Sequence, residues 1–309
     1  MLYEKHLGRE PENSEIVFDH INKFKNKKEL EKNILNSSEY INKITVNAIN
    51  NSIFSLINSS PTKIDLTFPN EILSKLFLKI KRQWSNLGES EPNWSVLTNQ
   101  KYKRINFKKN EREFFETGRM AVETIYKFFE RNSEKQQQET CIELGCGVGR
   151  ITLHLAKKFK KVFAVDISKG NLEECKKNCG KQDIKNVEFV LLESPEQLIN
   201  LPCCRFFFSV IVLQHNPPPI AAFFLKTILA KVETGGHALF QIPTHTPGYH
   251  FEIDTYLNEK NDKIIMEMHC LPMKEIFSIL KNQNFLCLEV LADNFTGTAG
   301  SHTFFAKKD

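Results

Sequence analysis

Ten residues near the middle of this 309-residue chain restrict its fold more than any others: Cys141-Ile142-Glu143-Leu144-Gly145-Cys146-Gly147-Val148-Gly149-Arg150. A short apolar run, the pattern of a buried strand, ends in three glycines at alternate positions and leads into a helical segment. Glycine lets the backbone turn sharply and come close to a ligand. The helix start that follows favours negative charge. A dinucleotide-binding turn has the spacing G-x-G-x-x-G. Its third glycine would fall on Arg150, so that reading fails. A second apolar run, Val162-Phe163-Ala164-Val165-Asp166, ends in an acid at the place where a carboxylate accepts ribose hydroxyls.

From residue 140 onward strands and helices alternate, which predicts an α/β fold around a parallel sheet. Strand candidates are 140–145, 161–166, 187–192, 206–213, 236–242, 285–291 and 301–306. Helices are expected near 149–159, 169–179, 218–231 and 272–283.

This stretch resembles the class I S-adenosylmethionine (SAM) dependent methyltransferases. Glu143-x-Gly145-x-Gly147-x-Gly149 matches the first motif of that family, and Asp166 its ribose-binding acid. Val187-Glu188-Phe189-Val190-Leu191-Leu192-Glu193-Ser194 matches the third strand, with Glu193 where the family more often has Asp. Thr234-Gly235-Gly236-His237-Ala238-Leu239 matches the turn into the fifth strand. The resemblance implies a Rossmann-like seven-stranded sheet with helices on both faces; helical periodicity before it predicts an all-helical N-terminal region. It also implies SAM as cofactor and S-adenosylhomocysteine as product. The implied cofactor residues are Glu143, Gly145, Cys146, Gly147, Gly149, Arg150, Asp166, Ile167, Glu193, Ser194 and Gln214.

In such a sheet the acceptor lies beyond the carboxyl ends of strands four and five. After the fourth comes Leu213-Gln214-His215-Asn216-Pro217-Pro218-Pro219. Asn-Pro-Pro-aromatic marks methyltransferases of amino groups, but Pro219 stands in the aromatic position, and the prolines suit a helix start. His215 is the favoured catalytic base, since its pKa range fits the task; the other reading is a histidine that packs on the cofactor edge. After the fifth strand a long excursion, 243–271, is expected to form a lid over the acceptor. It holds His245, Tyr249 and His250 as acceptor-binding candidates and His269 as a second catalytic candidate. Glu267-x-His269 lacks the further ligands of a metal site, so no metal is expected. Trp84 and Trp94, placed in a loop over 84–95, are either an aromatic wall on the acceptor or hydrophobic anchors.

The chain reads as three parts: a helical module (1–58), a helical connector and cap (59–139) and the methyltransferase core (140–309). A strong amphipathic helix is expected over 111–131, then a polar break at 132–139. Residues 1–58 resemble a small helical module found beside bacterial glycosyltransferases and surface-polysaccharide genes. That likeness rests on Leu7-Gly8-Arg9-Glu10-Pro11 and Asn36-Ser37-Ser38-Glu39-Tyr40. It implies methylation of a hydroxyl or amine on a small molecule or glycan. A protein or nucleic-acid methyltransferase, or a non-catalytic SAM-fold binding protein, is the alternative. A net charge of only +5 argues against a nucleic-acid partner. The eight cysteines form no C-x-x-C pair and read as reduced thiols. No apolar run approaches the ~20 residues of a membrane span, and the charged N-terminus has no signal-peptide core, so a cytoplasmic protein is expected.

Overall fold

A computed structural model describes residues 2, 5, 23, 26–37, 39, 63–67, 69–246, 248–259, 266–293, 295 and 300–309. The chain divides into a unit of residues 1–61 and a unit of residues 62–309. In the first, helix α1 (Lys27–Leu35) starts at Asn26, whose side chain accepts from the Glu29 amide at 3.0 Å, and it buries Ile34. The segment Leu7–Pro11, on which the N-terminal likeness rests, lies outside the described residues.

The second unit is built on a seven-stranded sheet. Its strands are β1 (Thr140–Leu144), β2 (Lys161–Asp166), β3 (Val187–Leu191), β4 (Cys204–Ser209), β5 (Val232–Pro243), β6 (Phe285–Asp293) and β7 (Ser301–Lys308). They lie in the order β3-β2-β1-β4-β5-β7-β6, with β7 antiparallel to both neighbours and the β3-to-β5 pairings parallel. Strand order reverses between β1 and β4, and open parallel sheets place their crevice at such a point.

Period-two alternation sends residues to two faces. Ile142, Leu144, Phe163, Val165, Phe207, Phe240 and Phe304 meet α2 (Asn70–Ser90), α7 (Pro218–Lys231) and α9 (Met273–Asn282). Cys141, Val162, Phe206, Phe208, Leu239 and Phe305 meet α4 (Arg104–Arg131) through Val122, Ile125, Phe128 and Phe129. Nine phenylalanines are among the largest fully buried side chains, so the chain's abundance of Phe is spent on filling both faces. All eight cysteines are free thiols.

Several boundaries depart from the sequence expectations. The loop expected over 84–95 is helical: α2 runs through Trp84 and Gly88 to Ser90, and α3 (Pro92–Val96) follows with proline in its first turn. Gly88 is there for close packing. A Cβ on it would fall 2.1 Å from the Ser168 hydroxyl, at the N-terminus of α6 (Lys169–Lys181). Helix α4 starts at Arg104, not 111, because Glu91 caps it from outside, accepting from the Arg104 amide at 2.8 Å. The helix expected over 149–159 shrinks to α5 (Thr152–Leu155). Beyond it the Asn186 amide donates to the Ala156 and Phe159 carbonyls at 2.8 Å each, replacing the missing helical bonds. The fourth strand ends at Ser209 because Ile211 adopts φ +60° and turns the chain into a 3-10 segment, Leu213–His215.

Gly118 fixes how closely α4 approaches the glycine turn. An added Cβ would sit 1.9 Å from the Arg150 carbonyl oxygen, a backbone atom that cannot swing away. Gly118→Ala is therefore expected to lower stability by ~1–3 kcal/mol, the cost of overpacking. Urea unfolding checks this, and a variant with an unchanged midpoint would refute the tight contact.

Candidate active site

The turn after β1 opens a cleft walled by the glycine turn, the ends of β1, β2 and β4, Trp84 and His215. Gly145 has φ +77°, and a Cβ on it would lie 2.2 Å from Val212, so both conformation and space demand glycine. The turn is pinned by Asp166. One carboxylate oxygen accepts from the Gly147 amide and the other from the Ser168 amide, each at 2.8 Å. Burial pushes the Asp166 carboxyl up to about 6. Glu143, also on the cleft wall, accepts from the Thr152 hydroxyl at 2.6 Å, and burial pushes it up to about 8. A cation placed between these two carboxyls favours their charged forms.

Two buried polar atoms on the cleft wall lack any partner: Arg150 Nε and Asn171 Oδ1. Burial lowers the Arg150 guanidinium to about 10, which leaves it charged at neutral pH, and one of its terminal nitrogens donates to the Thr117 hydroxyl at 3.2 Å. An unsatisfied buried group costs ~1–3 kcal/mol, so the wall offers a free donor at Arg150 Nε and a free acceptor at Asn171 Oδ1.

His215 stands on the same cleft. Its Nδ1 lies 2.8 Å from the Glu267 carbonyl, which only accepts, so Nδ1 carries the proton and Nε2 the lone pair. Gln214 makes a 3.3 Å contact to that Nε2. The Trp84 ring lies against the imidazole at 5.0 Å between centroids. Burial lowers His215 to about 4, so it is neutral at physiological pH. Ile211 lines the cleft in its left-handed conformation, rare for a β-branched residue, and Gln241 holds it by accepting from its amide at 2.8 Å.

Of the residues expected to bind cofactor, the cleft wall brings together Glu143, Gly145, Cys146, Gly147, Arg150, Asp166 and Ile167. Gly149 supports the turn from behind, packed on Cys175. Gln214 is buried behind His215, accepting from Gln241 at 3.0 Å. Glu193 is exposed, and neither it nor Ser194 reaches the wall. Cys146 is the one thiol on the wall, and burial pushes it up to about 12.

The acceptor candidates divide. Trp84 lines the cleft, whereas Trp94 lies under the Lys103 ammonium at 5.7 Å. His269 does not reach the wall, because both ring nitrogens are held: Nδ1 by the Tyr249 hydroxyl at 2.8 Å and Nε2 by Glu267 at 3.2 Å. Tyr256 donates to the same carboxylate at 2.7 Å. The excursion after β5, with α8 (Ile253–Asn258), is packed down by Phe251, Ile253 and Tyr256. His250 is exposed and His245 lies off the wall, with its Nε2 buried and unpartnered. Among the described residues no group of three His, Cys, Asp or Glu is arranged to hold a metal ion, and no helix is long and apolar enough to cross a membrane.

Sequence reading missed Ser95, Val96, Asn171, Val210, Val212, Asn216 and Phe224 on the wall. Position after a strand was the available signal for 210–216; nothing local marks Ser95 or Asn171. The proline run does open a helix, with Pro218 at the start of α7.

Comparison with known proteins sets the fold among SAM-dependent methyltransferases. The magnesium protoporphyrin IX methyltransferase of Synechocystis, solved with S-adenosylhomocysteine, superposes with TM-score 0.53 at 15% identity, over 75% of this chain and all of that one. Phosphoethanolamine N-methyltransferase 1 of Haemonchus contortus gives 0.54 at 12% identity, over 78% of this chain and 51% of the other. The tRNA (uracil-5-)-methyltransferase family matches residues 96–212. A tRNA/tmRNA (uracil-C(5))-methyltransferase of Campylobacter lari is 34% identical over 128 residues, 41% of this chain and 37% of that protein. The 23S rRNA (uracil(1939)-C(5))-methyltransferase RlmD of Haemophilus influenzae is 28% identical over 100 residues, 32% of this chain and 22% of that protein. The chain thus spans well under half the length of these curated relatives.

These relatives overturn two expectations. They are named for methylating RNA, against an acceptor that is a small molecule or glycan, and against the exclusion of nucleic acid. The mild net charge averages the whole chain and does not tell where charge is clustered. Nothing in the comparisons supports the likeness of residues 1–58 to a module beside glycosyltransferases.

Proposed function

We propose that this chain is a SAM-dependent methyltransferase acting on a base of a structured RNA. The observation that carries this reading is the extent of the family match. It begins at Val96 and ends at Val212, both on the cleft wall, and encloses the glycine turn and Asp166.

The donor set fits SAM. Arg150 Nε meets the need of a carboxylate, and Glu143 and Asp166 face a ligand that carries an ammonium and a sulfonium. Asp166 keeps lone pairs for ribose hydroxyls beyond those given to Gly147 and Ser168, and Asn171 Oδ1 accepts a further donor. SAM supplies the methyl group, transferred in line to the acceptor atom. The protein's part is alignment, which accounts for much of the rate in such displacements. A base atom that starts with a hydrogen ends the reaction one proton short, and His215 Nε2, whose lone pair accepts from the Gln214 amide at 3.3 Å, takes it when the acceptor displaces that contact.

The test is transfer of label from methyl-tritiated SAM to unfractionated tRNA and ribosomal RNA by the purified chain. RNase-sensitive incorporation is expected, with nucleoside mass spectrometry naming the base. Label that goes to no RNA overturns the reading.

A further inference from the structure

We propose that the basic face at the start of α4, centred on Lys108, Lys109 and Arg112, is where the sugar–phosphate backbone of the RNA substrate docks. This rests on the RNA reading above. Residues 101–112, Lys-Tyr-Lys-Arg-Ile-Asn-Phe-Lys-Lys-Asn-Glu-Arg, hold six cations and one acid. Their five net positive charges equal the net charge of the whole chain, so everything else is balanced. Clustering of this kind, rather than the total, is what a polyanion senses.

Two cations of this segment are engaged locally, Lys101 by Glu113 and Arg104 by the Glu89 carbonyl. Lys103 lies over Trp94. Lys108, Lys109 and Arg112 are exposed and make no hydrogen bond or salt bridge with any described residue. They share one side of α4, at positions i, i+1 and i+4. They also line a groove whose other wall includes His154 and Lys181 of the neighbouring helices. The two acids in that groove are already engaged, Glu111 by Lys181 at 3.5 Å and Glu116 by Arg119. The unneutralised charge in the groove is therefore positive.

The inner side of the same segment ties this surface to the reaction site. Tyr102 and Phe114 pack on Val148 of the glycine turn, and Phe107 packs on Phe114 at 5.3 Å. A backbone held by the outer cations therefore lies against the segment that covers the cofactor turn. The family match, which begins at Val96, includes all of this segment.

Replacing phosphate contacts changes the salt dependence of binding, by about 0.7 in the log–log slope per cation on single strands. Lys108→Gln/Lys109→Gln/Arg112→Gln is expected to reduce the slope for unfractionated tRNA by about 2. Affinity at low salt should fall at least about tenfold, while SAM affinity by calorimetry and the melting temperature stay unchanged. A control, Lys226→Gln/Lys274→Gln/Lys281→Gln, removes the same charge from α7 and α9 on the opposite face and should keep the wild-type slope. A wild-type slope in the α4 variant, or an equal drop in the control, overturns the docking surface while leaving the RNA reading intact. Absence of any salt-dependent tRNA binding by the wild-type chain overturns both.

Discussion

His215→Ala is expected to lose methyl transfer by ~10²–10⁴-fold, the usual contribution of a positioned acid or base, with SAM affinity close to wild type. The imidazole is set for this by three contacts. The Glu267 carbonyl fixes the proton on Nδ1 at 2.8 Å, Trp84 packs against the ring, and the cleft wall presents the residue to the ligand. Burial lowers its pKa to about 4. The base form is thus present throughout the neutral range and is lost only as pH falls towards 4. The rate attributable to His215 should be flat from pH 8 to 6 and decline below. Single-turnover transfer to RNA measures this, with calorimetry as the control for cofactor binding. Full activity in the alanine variant would remove His215 from the reaction and leave it a packing residue.

Asp166→Ala is expected to weaken SAM binding by about 100-fold or more. Hydrogen bonds to a charged acceptor contribute ~1.5–3 kcal/mol each, and this carboxylate holds the turn through Gly147 and Ser168 and lies on the cleft wall. Asp166→Asn should be nearly as damaging. Both carboxylate oxygens accept from amides, so the new NH2 group must face a donor. The sign with pH follows from burial, which raises this carboxyl to about 6. SAM affinity should be constant above pH 7 and fall as pH drops through 6, where protonation removes an acceptor. Asp166→Ala with wild-type affinity would refute the ribose assignment.

The glycine turn and the acid on the cleft wall were legible because their signals are local. A glycine at a left-handed turn, such as Gly145, is forced by its own backbone, and Asp166 follows directly from the end of its strand. The acceptor half was read less well. His269 looked free in sequence, yet Tyr249 and Glu267, 20 and 2 residues away, occupy both of its nitrogens. Trp84 and Trp94 looked equivalent around an apparent loop, but Gly88 is a packing glycine inside a helix, and only Trp84 reaches the cleft. Glu193 matched a strand-end motif, but its side chain is exposed outside the wall.

The charge followed the same division. Its sum was readable from composition and pointed away from nucleic acid. Its placement, with Lys108, Lys109 and Arg112 clustered on one side of α4 beside acids that other cations already engage, depended on which side chains the fold brings together. By itself the sequence determined the fold class, the order of strands along the chain and the glycine turn, because these rest on periodicity and on the backbone freedom of a few glycines. Only the tertiary structure decided that His245, His250 and His269 stay off the cleft wall, how the His215 proton is placed and where positive charge clusters. Each of these depends on partners far apart in the chain, and no local pattern encodes them.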